Sequence, residues 1–118
     1  MRKSILSAAF ALAAGAAVLL PAAARADAID GNWCLEGTRK FMTIDGVRIV
    51  TPGGSATEGN YTRHAFDYVI PPPEPQAGTV VGMLLANENT VYLKLGTKVV
   101  RRGEPGVEIW HRCNRPTA

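Results

Sequence analysis

Two cysteines far apart, Cys34 and Cys113, stand behind what reads as an export signal, and this leaves a chain of 118 residues few ways to fold. A single widely spaced pair in an exported chain predicts a disulfide that staples the two ends of one small domain in an oxidising compartment. Closing a loop of about 80 residues restricts the unfolded chain by roughly 4–5 kcal/mol in the chain-entropy treatment. That rivals the net stability of many domains of this size. Free-thiol roles fit poorly, because the chain has no Cys-x-x-Cys motif and no histidine spaced to complete a zinc site. No metal or other cofactor is expected.

The signal has three parts. Arg2 and Lys3 supply the positive start, residues 4–20 form an uncharged apolar run, and Ala24-Arg25-Ala26 fits a cleavage site. Cleavage is expected after Ala26, with Ala28 as the second choice. The alternative is an uncleaved anchor, but the run is short against the roughly 20 residues a spanning helix needs. Lipidation is not expected, because bulky Trp33 precedes the first cysteine where a small residue is required. The mature chain is therefore expected in the periplasm or outside the cell, with no membrane contact after cleavage.

Charge follows the same division. Of 13 Lys and Arg, the signal holds Arg2, Lys3 and Arg25, whereas all ten Asp and Glu come after Ala26. The mature part is thus balanced, and the net charge of +3 belongs to the signal. Nucleic-acid binding loses its compositional support, since such domains need a basic surface against phosphate. The one basic doublet, Arg101-Arg102, reads as a solvated pair on an edge strand. Residues 27–118 suffice for a single small domain with one core.

That domain reads as all-β. Beyond Ala26 the pattern is alternation punctuated by Gly, Pro and Asn, with no amphipathic helix of useful length. Asp45-Gly46 between alternating runs is a strong hairpin signal. A turn on those two residues sets Ile44 opposite Val47 and Met42 opposite Ile49, all on one face. Further strands are expected over residues 32–36, 60–70, 79–85, 90–95, 98–102 and 107–113, making eight. The run 79–85 is apolar on both faces, which suits a strand covered on both sides or bent at Gly82. In an up-and-down meander of eight, first and last strands are antiparallel neighbours, so a Cys34–Cys113 bond closes a small barrel of about seven or eight strands. A two-sheet sandwich is the alternative. One point pulls against the barrel: Cys34 should face outward with Asn32 and Glu36, whereas Cys113 shares a face with Val107 and Ile109.

The segments Asp30-Gly31-Asn32-Trp33-Cys34, Thr51-Pro52-Gly53-Gly54, residues 59–66 and Trp110-His111-Arg112-Cys113 resemble a group of small exported proteins of Gram-negative bacteria. The resemblance spans nearly all of the mature chain and implies a disulfide-stapled β protein. It brings no functional residues with it. Gly31-x-Trp33 is also similar to the start of lipocalin-like barrels and some secreted hydrolase inhibitors, where a tryptophan plugs one end.

Candidate ligand-binding residues are Tyr61, Arg63, His64 and Tyr68, with Phe66 among them. Phenols, guanidinium and imidazole suit the rim of a barrel mouth and an anionic or aromatic ligand. Period-two aromatics also suit the packing face of a strand, and packing is the preferred reading. His64 and His111, the two histidines, lack further ligands for a metal, and core or rim roles are preferred for both. Ser55 is in a glycine-rich turn unlike a nucleophile elbow. Nothing in the spacing of Glu58, Asp67 and Glu88 requires a carboxylate pair. Pro52-Gly53-Gly54 reads as a type II turn with Gly at positive φ rather than an anion nest. Residues 71–75 read as an extended polyproline spacer rather than a docking ligand.

Three functions compete. A non-catalytic binding or inhibitor-like module of a small ligand or exported protein predicts an open cavity or a protruding loop at 51–60 or 71–78. A structural or interaction protein of the envelope predicts a filled interior. A small His-dependent enzyme requires His64 exposed in a cleft beside a carboxylate, and burial against Phe66 excludes it. The first is preferred, and the chain is not expected to be an enzyme.

Overall fold

The computed structural model describes residues 27–114; the expected signal and cleavage site at residues 1–26 lie outside them. Nine strands follow one another: β1 (Gly31–Leu35), β2 (Phe41–Asp45), β3 (Arg48–Val50), β4 (Ala56–Glu58), β5 (Asn60–Thr62), β6 (Ala65–Val69), β7 (Val80–Asn87), β8 (Thr90–Leu95) and β9 (Glu108–Arg112). They form one antiparallel sheet in the order β4-β3-β2-β1-β9-β8-β7-β6-β5. The edges, β4 and β5, are separated only by Gly59, whose N–H donates to the Val47 carbonyl at 2.8 Å. They are two halves of one bent strand, the first paired with β3 and the second with β6. The sheet thus becomes a nearly closed up-and-down barrel rather than a sandwich. A side chain at Gly59 would meet the Asp67 carbonyl at 2.3 Å and the Phe66 ring at 2.8 Å, so the bend requires glycine.

The expected meander is present, but its strands are divided differently. The run 60–70 is a hairpin, β5–β6, because Arg63 and His64 form its turn. Residues 56–58, not expected as a strand, form β4. Residues 98–102 are no strand. They are part of a strap that crosses the outer face of β7, where Val100 is buried and the Arg102 guanidinium donates to the Ala86 carbonyl at 2.6 Å. The strap runs so close to Gly82 that a Cβ there would lie 2.4 Å from the Thr97 carbonyl. This explains why β7 is apolar on both faces: it is covered on both sides. It also takes Arg101-Arg102 off any sheet edge.

The β2–β3 hairpin is present, with its register shifted. Asp45 pairs with Arg48 and Ile44 with Ile49, so Gly46 and Val47 occupy the turn. Gly46 has φ of 59° and Val47 is exposed, whereas Met42, Ile44 and Ile49 are buried. The shift moves Val47 alone out of the core. At 51–54 the turn closes by Gly54 N–H donating to Thr51 O, and positive φ falls on Gly54, not on Gly53 as a type II turn requires. Residues 71–77 are not extended but folded into consecutive turns by Glu74 N–H to Pro71 O and Ala77 N–H to Glu74 O.

Closure brings β1 against β9, with Trp33 opposite Arg112, Cys34 opposite His111 and Leu35 opposite Trp110. The Cys34–Cys113 disulfide joins the two strands diagonally, with the Cα atoms 5.9 Å apart. The two cysteines share the outer face, because the inward residue of β9 is fully buried Trp110, while Ile109 is 47% exposed. The face read from Val107 and Ile109 was the solvent face, and the conflict disappears.

One end of the barrel is sealed. Residues 28–30 run beneath it, with Ile29 and Trp33 fully buried. The Trp33 indole donates to the Ile29 carbonyl at 2.9 Å, and the Asp30 carboxylate accepts from Gly46 N–H at 2.7 Å and from the Tyr61 hydroxyl. The Arg112 guanidinium stacks 4.4 Å from the Trp33 ring and donates to three carbonyls: Asp30 at 2.8 Å, Ala28 at 3.0 Å and Glu88 at 2.7 Å. Burial pulls its pKa down while Glu88 and Asp30 oppose that pull, and guanidinium remains cationic throughout the working pH range.

Two outcomes follow. Reducing the disulfide, or replacing both cysteines by serine, frees a loop of 79 residues and should lower stability by up to about 4–5 kcal/mol in denaturant titrations. Arg112→Ala leaves buried carbonyls unpaired and should cost about 2–3 kcal/mol in the same assay, with Arg112→Lys recovering only part because ammonium lacks the planar fork.

Candidate functional site

The opposite end is open. Strand direction places the loops 36–40, 51–55, 70–79 and 96–107 around it, and between them lies a cavity of about 480 Å³. Its walls are residues near the open ends of the strands: Tyr68 of β6 with Ile70 just beyond it, Val81 of β7, Leu93 and Leu95 of β8, and Trp110 of β9. Below them Phe66, Met83, Val91, Met42 and Trp33 fill the barrel. The mouth is therefore the part of the interior that side chains leave vacant. Lys40, Glu74, Gln76 and Glu108 bring polar groups to its lining, beside Pro52, Gly53 and Pro75.

The two carboxylates are held in place. Glu108 stands two residues before Trp110 on the inward face, and the Trp110 indole N–H donates to its Oε1 at 3.2 Å. Glu74 projects from the proline-rich loop and accepts from the Thr51 hydroxyl, which also accepts from Ser55 N–H at 3.1 Å. Thr51 is fully buried, so this contact latches loop 71–77 to loop 51–55. Tyr68 is only 4% exposed, and its hydroxyl has no hydrogen-bond partner among the described residues. Its pKa is pushed up to about 12, first by burial and then by the charges of Glu74 and Glu108.

The four residues singled out from sequence are divided between the two ends. Tyr68 lines the mouth. Tyr61, half-buried, bonds Asp30 at the sealed end. Arg63 and His64 occupy the β5–β6 turn at that same end, where exposed Arg63 pairs with exposed Asp27 and so lowers the Asp27 pKa. The turn at 63–64 breaks the period-two run and sends its halves to opposite ends of the barrel. His64 is exposed, not packed on Phe66, and lies in a shallow depression with Asp27, Glu88 and Arg102, which no serine, threonine or cysteine lines. His111 is on the outer face of β9, 3.9 Å from Glu36 and away from His64. Asp67 accepts from the Asn60 amide at 2.8 Å, Glu58 faces Arg48 across β3–β4, and Glu88 sits in the β7–β8 turn, so these carboxylates are not gathered. No group of three His, Cys, Asp or Glu is arranged to hold a metal among the described residues.

Glu74, Glu108, Trp110 and Thr51 were not anticipated as mouth residues. A signal existed for one pair: Glu108-x-Trp110 places an acid and an indole on one face of a strand. Glu74 carried no such signal, because its place depends on how the proline-rich loop folds.

The Tyr68 environment has a measurable consequence. Its folded-state pKa of about 12 exceeds the ordinary 10, so above pH 10 the unfolded chain loses a proton that the folded chain retains. The contribution is intact below pH 10 and should be lost as pH rises from 10 towards 12, a limb that Tyr68→Phe removes in denaturant titrations across that range.

Comparisons of the chain with models of protein families, with curated proteins and with solved structures gave no match in any of the three.

Proposed function

We propose that this protein is an exported, non-catalytic binding module that captures a small apolar or aromatic ligand in the open mouth of its barrel. The observation carrying this reading is the cavity of about 480 Å³, a size typical of small-molecule pockets, walled by Trp110, Tyr68 and aliphatic side chains with Lys40, Glu74, Gln76 and Glu108 as its polar groups. An envelope protein acting only through its outer surface has no use for such a vacancy, since closing it would add core packing. The disulfide, and the absence of a helix long and apolar enough to cross a membrane among the described residues, are compatible with a periplasmic or extracellular site of action. Export through the signal at residues 1–26 and kinship with the small exported proteins of Gram-negative bacteria belong to the same proposal.

Titration with 2-phenylethanol tests the capture, read by the NMR resonance of the Trp110 indole N–H. Saturable shifts should appear at Trp110 and leave the Trp33 indole unmoved. Leu95→Trp, which narrows the mouth from a half-exposed position, should weaken them by about tenfold or more, a loss of about 1.4 kcal/mol. Equal shifts at both indoles, or none at either, would refute a ligand site in the mouth.

A further inference from the structure

The geometry points to a cationic amine as the ligand class of the barrel mouth: an ammonium group held between the carboxylates of Glu74 and Glu108 over the faces of Tyr68 and Trp110, with its apolar body in the cavity. This inference rests on the capture reading and gives its ligand a charge. Three observations carry it. Two carboxylates line the cavity, and neither has a cation within ion-pair distance among the described residues. Each is oriented by one neutral donor, Thr51 for Glu74 and the Trp110 indole for Glu108, contacts that fix a carboxylate without neutralising it. Tyr68 lines the same cavity, and its hydroxyl makes no hydrogen bond to protein among the described residues.

Aromatic faces with carboxylates beside them form the usual receptor for an organic cation, because the ring quadrupole and the acid attract the same charge and the partly dry site weakens screening. The Tyr68 oxygen adds an acceptor, and an ammonium supplies three donors for it and the two carboxylates. Lys40 is the one cation in the lining and acts against such a ligand. An anionic ligand would have to approach two carboxylates to reach that single ammonium, and is disfavoured.

The test uses three probes of one shape, 2-phenylethylammonium, 2-phenylethanol and 3-phenylpropionate, titrated at low and high salt and read at the Trp110 indole. The ammonium should bind about tenfold tighter than the alcohol, and the carboxylate weakest, with the preference shrinking as salt rises. Glu74→Gln and Glu108→Gln, which keep an acceptor but remove the charge, should together erase the preference, bringing the ratio of ammonium to alcohol affinity down to about one. Lys40→Gln, a rim change with no effect expected on folding, should sharpen the preference by several-fold. Equal binding of ammonium and alcohol, or tightest binding of the carboxylate, overturns the charge assignment while the capture reading stands. Failure of all three probes to shift Trp110 overturns both.

Discussion

The contact on which the fold most depends is Arg112 against Trp33. One guanidinium, delivered by the last strand, covers the indole of the first strand and ties down the carbonyls of Ala28 and Asp30 before it and Glu88 in a neighbouring turn. The Ala28 and Asp30 carbonyls belong to buried backbone that crosses the barrel end outside the strands, so without the guanidinium they would lose their partner away from solvent. A lysine offers three donors from a single point and does not span them.

Sealing one end determines the character of the other. A small barrel has room for side chains and little else, and large residues concentrated at the sealed end, Trp33, Phe66 and Met42 among them, use most of that room. Toward the open end Val81 stands opposite Tyr68 and Leu93 opposite Glu108, and the volume they leave is continuous with solvent. The loops at that end are tied to one another rather than to a plug. Thr51 and Glu74 join two of them, and Lys94 approaches Glu104 at 3.5 Å to anchor the strap that covers β7. The scaffold thus presents a mouth whose acid groups are positioned before any ligand arrives.

Much of this was legible in the residues. Alternation, turn signals and the spacing of the cysteines pointed to an antiparallel meander closed by a disulfide between neighbouring strands. The parts that misled share a cause. Assigning a face to Cys113 from Val107 and Ile109, a turn to Asp45-Gly46, and a single strand to 60–70 all relied on hydrophobic alternation within one segment. Alternation fixes which residues share a face but not which face is the interior, and it does not register where a polar pair such as Arg63-His64 turns the chain back. The strap at 98–102 reads as a strand because Val99 and Val100 are β-branched, but only Val100 finds cover, on β7.

Fold class, strand periodicity and the ends to be stapled can be read along the chain, because they depend on local pattern and on residue types with one dominant chemistry. The place of the candidate site cannot, because it arises from the closed barrel. Tyr61 and Tyr68 are close in sequence yet sit at opposite ends of the barrel, while Glu74, Glu108, Tyr68 and Trp110 converge from a loop and two strands that are not neighbours in the sheet. Convergence of that kind is a property of how a sheet closes on itself, and pairing across the closure is set by long-range contacts that no single segment encodes.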